Sequence, residues 1–73
     1  MNRYSFKVGD RALITARGPF YAFVDGWRGR VAGYQSGHVV LIGPGMTDHG
    51  QAPEGGAPNI TLMVPPDQLA LTV

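Results

Sequence analysis

Two strand-like runs joined by Ser36-Gly37 constrain this chain more than any other feature. Residues 30–35, Arg-Val-Ala-Gly-Tyr-Gln, and 38–42, His-Val-Val-Leu-Ile, are separated by a two-residue link that suits a tight hairpin turn. The unbroken Val39-Val40-Leu41-Ile42 predicts a central strand, or one covered on both faces. Just upstream, Asp25-Gly26-Trp27-Arg28-Gly29-Arg30-Val31 places two glycines three apart ahead of a β-branched residue. Glycine accepts positive φ without steric cost, so this spacing predicts a tight turn feeding a strand of a small curved sheet. Such a turn holds Trp27, Arg28 and Arg30 out to solvent. As a strand, Arg28 and Arg30 share one side and Val31 takes the other.

The rest of the chain is read around that hairpin. Tyr4 and Phe6 fall on one side of an extended segment that would cap the open end of a barrel. Val8-Gly9-Asp10 is a turn signal, and residues 11–16 then set Ala12, Ile14 and Ala16 against Leu13 and Thr15, a first half-buried strand. Between the turn dipeptides Gly18-Pro19 and Asp25-Gly26 runs a loop rich in aromatics: Phe20, Tyr21, Phe23 and Trp27 fall within eight residues. So small a core cannot bury all four, and at least one or two are expected at the surface beside arginine. Residues 43–58 hold five glycines and three prolines with no apolar period, and predict a long flexible loop. Lengthening such a loop costs little entropy. Residues 59–64 alternate again, Ile60, Leu62 and Val64 inward and Thr61 and Met63 outward. Pro65-Pro66-Asp67-Gln68 breaks the ladder, because proline has no N–H to donate, and Leu69-Ala70-Leu71-Thr72-Val73 forms a last strand. No segment carries a helical period. The expected fold is all-β and a single domain over residues 1–73.

This order of elements resembles the SH3-like barrel, with its long loop after the first strand, its central tight hairpin and its one-turn 3-10 helix before the closing strand. Val64-Pro65-Pro66-Asp67-Gln68-Leu69 looks like that helical turn. Val8-Gly9-Asp10-Arg11 together with Gly26-Trp27-Arg28-Gly29-Arg30-Val31 is similar to the KOW pattern, in which a Gly-Asp strand start precedes a Gly-x-x-Gly-x-Val turn. In length and layout the chain is also similar to the small stromal barrel subunit of photosystem I and to the barrel domain of nitrile hydratase β-subunits. The resemblance covers about residues 6–73. It implies a small five-stranded SH3-like barrel, and the KOW pattern implies binding of RNA or of ribonucleoprotein partners.

Charge is lopsided along the chain. All six basic residues, Arg3, Lys7, Arg11, Arg17, Arg28 and Arg30, precede Val31, and Asp48, Glu54 and Asp67 are the only charges after it. The net charge of +1 is too small to dominate partner choice. Five of the six bases are arginine, the side chain that combines bidentate hydrogen bonding with stacking, which points to a recognition surface. Only 15% of residues are charged, against about 25% in typical domains, so the surface is expected to be sticky. The absence of cysteine excludes disulfides and a thiolate nucleophile, and no apolar run reaches the ~20 residues of a membrane span. A soluble, cytoplasmic protein is expected.

Chemistry finds little to work with. His38, Asp48 and His49 are the only candidate metal ligands, short of the three or four on a rigid frame that a stable site requires. Ser5 and Ser36 lack a nucleophile-elbow context, and Gly43-Pro44-Gly45 lacks the lysine and helix of a phosphate loop. No enzyme, no cofactor and no metal are expected. Nor is the 17–28 loop suited to proline-rich ligands, for it carries Asp25 alone where such binders carry several acids. Two binding readings remain. In the first, Phe20, Tyr21, Trp27, Arg28 and Arg30 dock a larger protein, with the 43–58 loop as a second contact. In the second, Arg11, Arg17, Arg28 and Arg30 hold nucleic-acid phosphates while Trp27 or Tyr21 stacks on bases.

Overall fold

The protein's structure, a computed structural model, describes residues 6–72. Its strands are β1 (Arg11–Ile14), β2 (Arg28–Gln35), β3 (His38–Pro44), β4 (Met46–Thr47), β5 (Gly50–Gln51), β6 (Asn59–Val64) and β7 (Leu69–Thr72). Two 3-10 helices interrupt them, Pro19–Val24 after β1 and Pro66–Gln68 before β7. Both start at a proline, whose fixed φ is already set for a first helical turn. The longer one replaces the open loop expected between β1 and β2, and Gly26, at φ +86°, turns the chain out of it.

The fold is all-β, as expected. Five strands form one antiparallel sheet in the order β6-β3-β2-β1-β7, and β4 and β5 form a separate two-stranded ribbon. The ladder is open: β6 and β7 are its two edges. Ser36 at φ 51° and Gly37 at φ 78° make the hairpin turn with the left-handed geometry that matches strand twist. The register shifts between Val31 and Gly33, so Ala32 forms a bulge that bends β2. β3 lies inside the sheet, between β6 and β2, but is buried on one face only. Val39 and Leu41 are fully buried, whereas Ile42 between them and the strand end is 39% exposed.

Alternation delivers the core. Ala12 and Ile14 of β1, Val31 of β2, Val39 and Leu41 of β3, Val64 of β6 and Leu69 of β7 pack with Phe6, Val24 and Trp27. Each large side chain among them stabilises the fold by roughly 1.5–3 kcal/mol. Phe6 is fastened as well as buried: the Tyr34 hydroxyl donates to its carbonyl at 2.6 Å and accepts from its amide at 2.8 Å. The Tyr4 half of the expected cap lies outside the described residues.

Candidate functional site

The site is built on the outward face of the sheet. β2 alternates, so Arg28 and Arg30 are exposed while Val31 is buried, as the spacing predicts. Pairing then brings Arg11, expected among the phosphate-holding arginines, to the same place. Arg11 of β1 stands directly opposite Arg30, and Arg30 opposite Ile42 of β3. The Val31 amide donates to the Asp10 carbonyl at 2.8 Å, the bond that flanks a non-hydrogen-bonded pair. In that register opposed Cα atoms come closest, about 4.5 Å apart.

Across from the arginines stands the segment expected to be a free loop. It is instead an arm with its own ribbon, β4 and β5, fastened to the sheet by one side chain. The Gln51 amide accepts from the Arg28 N–H at 2.9 Å and donates to the Arg28 carbonyl at 2.6 Å, as a neighbouring strand would. It also donates to the Pro44 carbonyl at 3.0 Å. The Ala52 amide donates to the Gly45 carbonyl, and the Gly45 amide to that of Pro58. Between arm and sheet lies an open trough of about 790 Å³, lined by Arg11, Arg28, Arg30, Ile42, Pro44, Gln51, Pro53, Glu54, Asn59 and Thr72 among others. Three arginines and one glutamate are the charged residues of that lining.

Trp27 corrects the sequence expectation. Its side chain is 1% exposed and belongs to the core, so it offers no surface to a protein or a base. The indole lies over two residues without side chains, Gly29 and Gly43, and its Nε1–H donates to the Pro44 carbonyl at 2.7 Å. Pro44 thus accepts from both Trp27 and Gln51, which ties the start of β2, the end of β3 and the arm into one knot. A glycine-lined slot and a buried acceptor for the indole N–H make burial favourable over exposure.

The other expected contact residues divide. Phe20 is 76% and Phe23 72% exposed, on the same 3-10 helix. Tyr21 is half-buried, its hydroxyl donating to the Met63 carbonyl at 3.1 Å, with Phe20 edge-on to its ring at 4.8 Å. None of the three lines the trough. Arg17 does not join the other arginines either. Its Nε–H donates to the Asp67 carbonyl at 2.8 Å and its backbone N–H to Gln51's counterpart at the far turn, Gln68 Oε1, at 3.0 Å. Asp48 and His49 form the turn between β4 and β5, while His38 begins β3 with Nδ1 bonded to the Ser36 carbonyl. Among the described residues no three metal-ligating side chains gather. Nor does any helix there have the length and apolarity to cross a membrane.

Fold and site together define a small all-β protein with a basic trough on one face of an open sheet. The chain matches no family model, and no curated protein or solved structure matches it.

Proposed function

We propose that the protein is a non-catalytic binding module that docks onto a larger protein, and that its sheet is an SH3-like barrel arrangement. Two features support the barrel reading: the last strand lies beside the first, and a one-turn 3-10 helix precedes it. The observation that carries docking is the pair Phe20 and Phe23. Positions three apart in a 3-10 helix share a side, so the two exposed phenylalanines are presented on one side of it. Exposed apolar groups held on a stiff turn lose little entropy on binding. Tyr21 supplies the stiffness through Met63. A chain without cysteine suits the reducing cytoplasm as the setting.

Capture from source lysate tests this, using wild type, a Phe20→Ser/Phe23→Ser variant and an Arg28→Ala/Arg30→Ala variant, each with and without nuclease. A nuclease-resistant partner lost in the phenylalanine variant is the expected result. The second reading, a KOW-like nucleic-acid binder, is favoured by the three arginines of the trough. Under it, recovery is nuclease-sensitive, is lost in the arginine variant and falls steeply with salt, about 0.7 log units per log unit of salt for each phosphate neutralised on a single strand.

A further inference from the structure

The trough concentrates positive charge where folding gains nothing from it. Arg11 and Arg30 form a directly opposed cross-strand pair, and Arg28 lies two residues along on the same face. Like charges so placed oppose strand pairing. In a chain of net charge +1 this is a local excess, and Glu54 is the one carboxylate on the wall opposite. A guanidinium fork matches a carboxylate bidentately, so an anion lying between the arginines turns mutual repulsion into paired bonds.

Shape and lining narrow the anion. The trough reaches Thr72 on one edge strand and Asn59 on the other, so it spans the five-stranded sheet. Four inter-strand spacings make about 19 Å. That is the length of about six extended residues. No aromatic side chain lines it, and Trp27, the one ring near its floor, is buried. Single-stranded nucleic acids bind through stacking platforms as well as charge, and this trough supplies only the charge.

We propose that the trough takes an extended acidic peptide segment, its carboxylates held by Arg11, Arg28 and Arg30, and that the charge of Glu54 on the opposite wall opposes its binding. The proposal rests on the docking reading for the partner's being a protein. It adds a second contact, distinct from Phe20 and Phe23, that selects acidic sequences.

Titration of the ¹⁵N-labelled protein with acetylated hexaglutamate at low salt, followed by amide chemical shifts, tests it. Hexauridylate serves as the comparison polyanion. The expected result is saturable shifts at residues 28–32 and 51–57 that are stronger with hexaglutamate than with hexauridylate. Arg11→Ala/Arg30→Ala weakens hexaglutamate binding about tenfold. Glu54→Gln tightens it about twofold or more. No shifts at those amides, tighter binding of hexauridylate, unchanged affinity in the arginine variant or no gain in Glu54→Gln each overturns the proposal. The arginine variant's own amide spectrum reports that it is folded. Failure here, with capture through Phe20 and Phe23 intact, removes the peptide trough and leaves the docking reading standing; loss of that capture with the hexaglutamate shifts intact does the reverse.

Discussion

A Cβ on Gly29 would stand 2.5 Å from Cζ3 and 2.7 Å from Cη2 of the Trp27 ring and 3.2 Å from the Ile42 carbonyl oxygen. On Gly43 it would meet the Arg28 carbonyl oxygen at 2.8 Å and Cζ2 of the same ring at 3.1 Å. The indole is clasped from both strands and has nowhere to move. Gly29→Ala is therefore expected to destabilise by roughly 1–3 kcal/mol as an overpacked core substitution. In a domain of this size the lower figure already moves Tm down by about 4 °C or more in thermal unfolding. The Gly26-x-x-Gly29 spacing is thus explained by two separate causes. Gly26 answers the positive-φ expectation, at φ +86°, whereas Gly29 is required by close approach of a ring. Arg30 carries the opposite prediction: Arg30→Thr removes the like-charge pair with Arg11 and should raise stability by about 0.2–1 kcal/mol, an increment that shrinks with added salt.

At the scale of elements, the arm 45–58 hangs on Gln51. Its amide satisfies both backbone groups of Arg28 and shares the Pro44 carbonyl with Trp27. Gln51→Ala forfeits those bonds at a net cost of about 1 kcal/mol or somewhat more. The measurable consequence is faster amide hydrogen exchange in residues 45–57 with β1, β6 and β7 still protected, since local opening is confined to the element that lost its fastening. Gln51 sits among glycines and prolines with no period around it, and a glutamine that mimics a strand leaves no mark in composition. Strand elements were far more legible. The β2–β3 hairpin, its turn at Ser36-Gly37, the alternation of β6 and the break before β7 all follow from residue order, because turns and alternation are local chemistry.

At the scale of the whole molecule, the fold and its exposed surface are separable. Phe20 and Phe23 are more than two-thirds out of the core, so Phe20→Ser/Phe23→Ser should leave chemical denaturation midpoints close to wild type, each change within about 0.5 kcal/mol, while partner capture is lost. The same substitution made at Trp27 would unfold the protein, for that ring is the largest fully buried side chain.

Residue order by itself determined the all-β class, the hairpin, the inward and outward faces of β1 and β6, and that Arg28 and Arg30 share a side opposite Val31. Those properties depend on neighbours within a few residues. Tertiary structure alone decided that Arg11 stands against Arg30, that Arg17 is spent at the 3-10 turn, that Gln51 clamps the arm and that Trp27 is sealed inside. Each depends on strand register or on a slot opened by glycines many residues apart, and contacts between distant segments are set by how the sheet assembles.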